Sequence, residues 1–530
     1  MATESGPIPP GTNGSISPEE RRVIVAALEA GRLEEAEARC RPLLERADNL
    51  DALLLMACIR SAQGQHDVAL GLFGDLVEIV PYRADITYNQ GSALRRAGRL
   101  ADAVEAWRRT LRLRPDLIAA RHNLAMALRE LGDLAGAIEA FETLLELSPE
   151  SEVEALLQIG NLNYLSGDIE AAISRYRTLV NHHPGAVMGW TNLGQGLKEV
   201  HKYDEAERSY RRALEVDPSF DLAAFNLGCL LLSEGRWREG FTGYERRKSR
   251  HKRPAVLADL PPWQGDEPPG TIVALWHDQG FGDAIQFVRF AAAIAARGHH
   301  PVLLIGAPLR RLLATAPGLV EVRPAEEPLP PFGAEVALAS LPYRLGLETS
   351  DSLWSGPYLT APTGPVPALP AARKRVGLVW AGAVGYVKDR ARSLTLEDLA
   401  PLFAVPEVAW ISLQLGPHAA DREGAPWPSR IFDATASLND FAATATLIEQ
   451  LDLVVTVDTA VAHLAGALGR PAWVLLRDEG DWRWGREGEE TPWYPSLRLF
   501  RQTVPGRWEE PVQAIAAALA ELPPRTPLGG

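Results

Sequence analysis

The loop HDQGFGD, residues 277–283, ends in a carboxylate and follows a short apolar run. Gly280 and Gly282 add no side-chain bulk, so we expect the loop backbone to approach a ligand closely. Asp283 has two interpretations. It is a general base that takes a proton from a hydroxyl, or it is an acidic residue in the first turn of a helix, where the helix dipole favours it. The spacing by itself does not specify a reaction.

A second polar group lies in the segment VDTAVAH. Asp458 closes a predicted strand and Thr459 opens a predicted helix. We expect the free backbone N–H groups of Ala460 and Val461 to suit a phosphate, because helix N-termini bind anions. His463 lies four residues after Thr459, on the same helix face. It either contacts that phosphate or is a buried histidine with a partner inside the protein.

Further polar residues follow two other predicted strands. Lys388 and Arg392 lie in YVKDRARS, beyond the strand RVGLVWAG, and Gln414 ends the strand AWISLQ. Strand ends of a parallel sheet meet at one edge, so we expect these residues to lie near Thr459. Two separate segments then supply hydrogen-bond donors suited to a phosphate or a pyrophosphate.

Alternating apolar and helical segments must position these loops. Three apolar runs (TIVALWH, PVLLIG and AEVALAS) fall in residues 262–360, and four more (RVGLVWAG, AWISLQ, LVVTVD and PAWVLL) fall in residues 373–525. A proline-rich stretch, residues 361–372, separates the two groups. This β-α-β rhythm predicts two doubly wound parallel sheets joined by a stiff linker, with a ligand cleft at the carboxyl ends of the strands.

The first half of the chain carries a repeat of about 34 residues, which indicates an array of paired helices. We assign residues 17–250 to this array and expect residues 1–16, which are polar and rich in proline and glycine, to be disordered. Such arrays present a concave surface to another chain. Three marks keep the period: a turn residue (Gly31, Gly64, Gly98, Gly132, Gly167, His201, Gly235), a small residue five positions later (Ala36, Ala69, Ala103, Ala137, Ala172, Ala206, Gly240), and a proline (Pro81, Pro115, Pro149, Pro184, Pro218).

One carboxamide recurs in the same register of five repeats. A carboxamide has one acceptor and two donors, so a line of them can bond the backbone of an extended peptide without reading its side chains. The alternative is that each carboxamide bonds a neighbouring helix. The five residues are Asn89, Asn123, Gln158, Asn192 and Asn226.

Composition excludes several classes of protein. The formal net charge of −14 argues against nucleic acid as the main partner. The cysteines Cys40, Cys58 and Cys229 share no metal-ligand spacing, and we expect them to be buried. No run approaches the roughly 20 apolar residues that span a bilayer. We therefore predict a cytoplasmic protein with no membrane span.

The two halves of the chain each resemble a known family, the first half a repeat family and the second half a glycosyltransferase family. Residues 17–245 resemble the tetratricopeptide repeats, and the carboxamides resemble the asparagine ladder of the nucleocytoplasmic protein O-glycosyltransferases. Residues 236–502 are similar to the heptosyltransferase-like glycosyltransferases of the two-lobed GT-B class (family 9-like), and the whole chain to bacterial proteins that fuse the two. The second resemblance rests on GYERR, HDQGFGDAIQFVRF, VGLVWAG, ARSLTLEDLAPLF, ISLQLG, VDTAVAHLAGALGRPAWVLL, DWRW and WYPSLRLFRQ.

The resemblance implies a helical solenoid followed by an acceptor lobe (262–360) and a nucleotide-sugar lobe (373–525). It implies Asp283 as the catalytic base, and a donor site formed by Asp458, Thr459 and His463 with Lys388, Arg392 and Gln414. The expected reaction is an inverting, metal-independent transfer from a nucleotide sugar to a hydroxyl of a protein held by the repeats. No cofactor is expected.

Fused proteins of this layout in flagellated bacteria imply flagellin as the acceptor, and then a CMP-linked nonulosonic acid as the donor. Two alternatives stay open. One is a repeat scaffold whose transferase fold is inactive. The other is an enzyme that acts on a glycan or a lipid-linked acceptor.

Overall fold

The chain forms two compact units, Met1–Val216 and Asp217–Gly530, in the computed structural model. The structure describes residues 16–45, 49–247, 253–327, 329–353, 356–382, 392–424 and 431–523. Lys388 and nearly all of the predicted N-terminal segment 1–16 lie outside these ranges. No helix of the described residues is long and apolar enough to cross a membrane.

The described part of the first unit is a run of paired α-helices. The helix that follows each turn ends two residues before a repeat proline from Pro81 onward, as at Leu113 before Pro115, because proline cannot continue the hydrogen-bond ladder. The helices are α1 (Pro18–Glu29), α2 (Leu33–Leu44), α3 (Leu50–Ala62), α4 (His66–Ile79), α5 (Ala84–Arg96), α6 (Leu100–Leu113), α7 (Ile118–Glu130), α8 (Leu134–Leu147), α9 (Glu152–Ser166), α10 (Ile169–His182), α11 (Val187–Glu199) and α12 (Tyr203–Val216).

The backbone conformation of the turn residues explains the repeating glycine. Gly98 has φ 75°, in the left-handed region that glycine adopts without strain, and the other turn glycines are also positive. His201 keeps φ 58° although it has a side chain. The small residue five positions later is fully buried in these pairs, as at Ala103, so the two helices can approach closely.

A second small residue in the repeats makes room for a large one. A Cβ on Gly160 would lie 2.4 Å from Cε1 of Tyr176, and one on Gly194 would lie 2.7 Å from Cε1 of Tyr210. Both tyrosines are nearly fully buried. These two helix pairs thus close around an aromatic ring that fits because its neighbour is glycine.

The second unit begins with the last helix pair of the predicted array, α13 (Asp221–Ser233) and α14 (Trp237–Tyr244). Trp237, Phe241 and Tyr244 of α14 pack into the same core as the first sheet, which explains why this pair falls in the second unit.

The first sheet has four parallel strands in the order β3-β2-β1-β4. They are β1 (Ile272–Trp276), β2 (His300–Leu304), β3 (Glu321–Arg323) and β4 (Ala334–Ala337). Trp276 lies opposite Leu304 on one side and Ala337 on the other, so the carboxyl ends of three strands meet at one edge. Its helices are α15 (Phe281–Phe287), α16 (Ala291–Ala295), α17 (Ala307–Leu313) and α18 (Leu341–Arg344).

The second sheet has six parallel strands in the order β10-β9-β8-β5-β6-β7. The strands are β5 (Lys374–Val379), β6 (Val408–Ser412), β7 (Ile431–Asp433), β8 (Leu453–Val457), β9 (Ala472–Leu476) and β10 (Leu497–Arg501). The helices are α19 (Ala400–Phe403), α20 (Asp421–Gly424), α21 (Phe441–Ile448), α22 (Ala460–Ala467) and α23 (Glu509–Glu521). This is the doubly wound order predicted for residues 373–525.

Some predicted elements differ from the observed ones. The segment 281–298 between β1 and β2 holds two helices separated by a 3-10 turn at 288–290. The segment 394–405 contains only the short α19, because Pro401 and the Thr395–Asp398 side-chain bonds favour turns. The short strands β3, β7 and β10 were not predicted. Cys40 and Cys58 are buried, whereas Cys229 is only partly buried.

Candidate functional site

Two loops of the second unit follow strands at which the strand order reverses. In the first sheet β1 lies between β2 and β4, and in the second sheet β8 lies beside β5. Crevices at such reversal points are where ligands bind in open parallel sheets. The loop 277–283 follows β1, and the segment 458–463 follows β8.

These two segments pack against each other at Gly282. A Cβ on Gly282 would lie 2.7 Å from Cδ2 of His463 and 3.4 Å from Cα of Ala460. Glycine at this position is therefore needed for the approach of helix α22, and the expected approach of a ligand to this backbone stays a prediction. Gly280 is the N-cap residue of α15, with φ −75°.

Asp283 lies in the first turn of α15 and 22% of its side chain is exposed. Its Oδ2 accepts a hydrogen bond of 2.9 Å from the backbone N of Gly280, and its Oδ1 forms an ion pair with Arg483. Burial raises the pKa of Asp283, and the charge of Arg483 offsets part of that rise. The first-turn interpretation therefore applies, since Asp283 caps a helix start, and its role as a general base stays a prediction.

Arg483 joins the two sheets' loops and is only 6% exposed. Its Nε donates to Oε1 of Gln286 at 2.6 Å, and its Nη1 donates to Oδ1 of Asp481 at 2.8 Å. Its Nη2 donates to the hydroxyl of Tyr244 at 3.1 Å, besides the bond to Asp283. The guanidinium also lies over the ring of Trp482, 4.3 Å from its centroid. A buried cation of this kind needs such partners to be stable.

Two more carboxylates of the second sheet's loops surround this arginine. Burial would raise the pKa of Asp481, but the charge and hydrogen bonds of Arg483 prevail and lower it. Burial, followed by the charge of Asp481, raises the pKa of Asp458 to about 6. Asp458 thus changes charge close to neutral pH.

Thr459 caps helix α22 with its own side chain. Its Oγ1 accepts a hydrogen bond of 3.3 Å from the backbone N of Val461. This corrects the prediction that the Val461 N–H is free: a threonine at an N-cap satisfies an N–H of the first turn, so a ligand would have to compete with it.

His463 matches the buried-histidine alternative. It is 6% exposed, its Nδ1 lies 3.0 Å from the hydroxyl of Tyr494, and its ring stacks on Trp484. Burial, aided by the charge of Arg483, lowers the pKa of His463 to about 3, so the ring is neutral at pH 7. It therefore brings no positive charge to a phosphate.

The remaining predicted donor-site residues, Arg392 and Gln414, differ in what they bond. Arg392 lies at the predicted edge, where its Nη1 donates to the backbone O of Asp458 at 2.9 Å. Gln414 is 2% exposed and bonds only backbone: its Oε1 accepts from Trp380 and Ala381, and its Nε2 donates to Ala381 and Leu415. All four of its bonding positions are used, so Gln414 positions the loop after β5 instead of lining a ligand site. Lys388 lies outside the described ranges.

Comparisons with known proteins match both parts of the chain. The family described as Tetratricopeptide repeat matches residues 54–118, 88–152, 122–187 and 187–220. The family described as Glycosyltransferase family 9 (heptosyltransferase) matches residues 435–513. The chain contains tetratricopeptide repeats and a glycosyltransferase family 9 segment.

Curated proteins are similar to part of the chain. Protein FlbA of Caulobacter vibrioides is 28% identical over 335 residues, which cover 56% of this chain and 55% of FlbA. The peroxisomal targeting signal receptor of Eremothecium gossypii is 27% identical over 124 residues, 23% of this chain and 21% of that receptor. The chain thus spans about half of FlbA and about a fifth of the receptor.

Solved structures are similar over part of the chain. A crystal structure of MamA covers 31% of this chain and 95% of its own, at 20% identity and a TM-score of 0.28. YrrB, described as a TPR protein with an unusual peptide-binding site, covers 34% of this chain and 94% of its own, at 19% identity and a TM-score of 0.30.

The family 9 segment supplies Asp458, Thr459, His463 and Arg483, and the loop after β1 adds Asp283 to them. Sequence reasoning missed Arg483, which is 200 residues from Asp283 in the chain, and its neighbour Asp481. A usable signal was present. DWRW follows β9 at the same sheet edge, and its arginine between two tryptophans is unusual for an exposed loop.

Helix α14 also reaches this site. The Tyr244 hydroxyl accepts from Nε2 of Gln279 at 2.6 Å as well as from Arg483. Beyond it, Arg247 is 3% exposed and pairs with Asp278 at 2.7 Å and with Glu245 at 2.7 Å. Arg247 lines a polar cavity of about 430 Å³ beside the carboxyl ends of β1 and β4, together with Arg253, Trp276, Glu335, Ser340 and Arg344.

The repeat carboxamides make bonds within the protein. Asn123 donates to the Tyr88 hydroxyl at 3.3 Å, Gln158 accepts from Arg129 at 3.0 Å, and Asn192 donates to Asn161 at 2.8 Å. Each of these bonds joins neighbouring repeats, as the alternative interpretation expects. Asn89 bonds the Asp85 backbone within its own helix, and Asn226, in the second unit, is partly buried. The peptide ladder stays a prediction.

Proposed function

We propose that this chain transfers a sugar from a nucleotide-sugar donor to a hydroxyl of a protein acceptor that the repeats hold. The observation that carries the proposal is the ion pair between Asp283 and Arg483. It joins a carboxylate with a raised pKa, in the loop after β1, to the segment that matches glycosyltransferase family 9.

In this reaction Asp283 takes the proton of the acceptor hydroxyl as its oxygen attacks the anomeric carbon. The bond from that carbon to the donor phosphate breaks, and the nucleotide leaves with the electron pair. Attack from the face opposite the leaving group inverts the anomeric carbon. A raised pKa suits Asp283 because a base works best when its pKa is near the working pH.

The donor phosphate lies, in this proposal, between the start of α22 and Arg392. Arg392 bonds the Asp458 carbonyl at that helix start, and oriented N–H groups with a fixed cation stabilise a departing phosphate. These groups do not distinguish a pyrophosphate from a single phosphate, so UDP-, GDP-, ADP- and CMP-linked sugars are all candidates. The proposed reaction is metal-independent. Among the described residues no cluster of three His, Cys, Asp or Glu side chains is arranged to hold a metal ion.

The acceptor is proposed to be a protein, and flagellin is the first candidate. The repeats support a protein acceptor, since arrays of this type bind polypeptides. One relative is named as a peroxisomal targeting signal receptor. The polar cavity beside β1 and β4 supports an acceptor site on the first lobe, next to the loop that carries Asp283.

The test is a nucleotide screen by thermal denaturation of the whole chain with UDP, GDP, ADP and CMP. One of them is expected to raise Tm, because a ligand at about 100 times its Kd adds about 2.7 kcal/mol to folding stability. Arg392→Gln is expected to reduce that rise. The control Arg373→Gln alters an exposed arginine paired with Glu407 and is expected to preserve it. If no nucleotide raises Tm, the chain is a repeat scaffold with an inactive transferase fold.

A further inference from the structure

Arg483 has a partner arrangement that a purely structural arginine does not need. Three of its partners are local or neutral: Asp481 is two residues away, and Gln286 and Tyr244 are uncharged. The fourth, Asp283, is a carboxylate from the other lobe of the unit. The arginine thus holds the very group that the proposed reaction uses as its base.

We propose that Arg483 is an exchangeable counter-ion, which holds Asp283 in the unliganded chain and passes to the phosphate of the donor when the donor binds. This inference rests on the proposed function, because it assigns the phosphate to the same site. In this proposal Arg483 binds the donor phosphate. Until the donor is present, it also keeps the Asp283 carboxylate from acting as the base.

The burial of Arg483 explains why exchange is required. The side chain is 6% exposed, whereas those of Asp283 and Asp481 are 22% and 38% exposed. The carboxylates are therefore the more exposed members of the cluster. An incoming anion can reach the guanidinium only by taking the place of one of them.

Asp283 is the carboxylate that can be replaced. Asp481 accepts from both the side chain and the backbone N of Arg483, the latter at 3.1 Å, so the turn itself holds it. Asp283 would keep its 2.9 Å bond to the Gly280 N–H after the arginine had turned to the phosphate. The helix start thus keeps the carboxylate in place while its counter-ion changes.

The exchange changes the pKa of Asp283. The groups that face Asp283 are Arg483 and Asp481 from the turn after β9, Asp278 from its own loop, and the Tyr244 hydroxyl and neutral His463 beside them. Arg483 lowers the pKa of Asp283, against burial, Asp481 and Asp278. When a phosphate takes up the charge of Arg483, the pKa of Asp283 rises. Above both pKa values Asp283 stays ionised and is the stronger base, whereas between them the protein binds a proton together with the nucleotide.

The experiment is isothermal titration of the whole chain with the nucleotide that stabilises it, in buffers of different ionisation enthalpy, from about pH 4 to about pH 8. The slope against buffer enthalpy gives the protons bound per nucleotide. Asp458 and the phosphate also titrate, so the quantity that counts is the difference between wild type and Asp283→Asn.

We expect wild type to take up more protons than Asp283→Asn, by about half a proton or more at the best pH. Asp283→Asn is also expected to bind the nucleotide about fivefold more tightly or better, because no carboxylate competes for Arg483. Arg483→Gln should lose the difference in proton uptake, and Arg483→Lys should keep part of it. The control Arg373→Gln should behave as wild type.

Equal proton uptake by wild type and Asp283→Asn, with unchanged affinity, would overturn the exchange while leaving the proposed function intact. If Arg483→Gln does not fold, the comparison of wild type with Asp283→Asn still decides. Absence of any nucleotide binding would instead count against the proposed function.

Discussion

The ion pairs of the two units join residues with very different separations along the chain. In the first unit the ion pairs connect a repeat to itself or to the next one, as in Arg95–Glu130 and Arg175–Glu142, and most are partly exposed. In the second unit the pair that matters joins Asp283 to Arg483, and the arginine is almost fully buried. The first kind of contact stabilises one repeat or two neighbouring repeats, whereas the second depends on the whole α/β unit being folded.

The difference predicts how each unit responds to substitution. A repeat contacts its neighbours only, so a change there should remain local. The site of the second unit collects residues from α14, from the loop after β1 and from the loops after β8 and β9. A change at one of them should alter the others, since buried charged groups that share partners are not independent.

The largest expected effect is at Asp283. Asp283→Asn should lower the initial rate of sugar transfer by about 10²- to 10⁴-fold, because the acceptor hydroxyl loses its base. The rate is measured with purified chain, donor and acceptor. Asp266→Asn, which changes an exposed acid in the same unit, is the control and should retain the wild-type rate. A variant at Asp283 with near-normal transfer would show that another group is the base.

The contact between the two lobes is tested at Gly282. In Gly282→Ala the new Cβ would overlap the His463 ring, so we expect the second unit to lose about 1–3 kcal/mol of stability and to bind nucleotide more weakly. Urea denaturation followed by tryptophan fluorescence measures the first effect. Gly364→Ala, whose new Cβ would come no closer than 3.8 Å to another group, should be nearly neutral. Equal stability of the two variants would contradict the close approach of α15 and α22.

The same substitution in the repeats sharpens the contrast. Gly160→Ala places a Cβ against Tyr176 and should cost about 1–3 kcal/mol, with the loss confined to the unfolding of the first unit. Gly74→Ala, in a helix with no group within 4 Å, should add up to about 1 kcal/mol, since alanine favours helix. Circular dichroism during denaturation gives both values. A loss that also affects nucleotide binding would show that the repeats are not independent of the site.

The smallest effect is expected at His201. Its φ of 58° is strained for a residue with a Cβ, so His201→Gly should raise the stability of the first unit by about 0.5–1 kcal/mol. The gain is reduced because the 2.7 Å contact with the Tyr203 hydroxyl is lost and because glycine is more flexible when unfolded. A decrease in Tm would mean that this contact outweighs the backbone strain.

These contrasts also explain what could be predicted from the sequence. In the repeats, geometry depends on residues within one period, so the positive φ at Gly98 and the buried Ala103 followed from spacing alone. The strand ends of the second unit were predictable as well: they placed Arg392 and Thr459 at the carboxyl edge of the second sheet and Asp283 at that of the first. The DWRW motif pointed to Arg483, but its partners could not be predicted, because they come from distant segments that only the folded unit brings together. The short edge strands β3, β7 and β10 carry too few residues for a clear pattern.

Prediction from the sequence was also limited because it does not show which polar side-chain atoms are already hydrogen-bonded within the protein. Gln414 ends a strand at the ligand edge, yet its four hydrogen bonds are all to backbone. His463 faces the helix start but bonds Tyr494. The type of a residue and its place in a motif do not tell whether the protein already uses its polar atoms.

The claim that a sugar is moved onto a protein by Asp283 is tested most directly by the intact mass of the acceptor. Flagellin, and then the remaining proteins, would be compared between cells that carry the wild-type chain, Asp283→Asn or no chain. We predict a sugar-sized mass on the acceptor with wild type, and its loss both without the chain and with Asp283→Asn at equal expression. The same protein masses in all three would contradict the account.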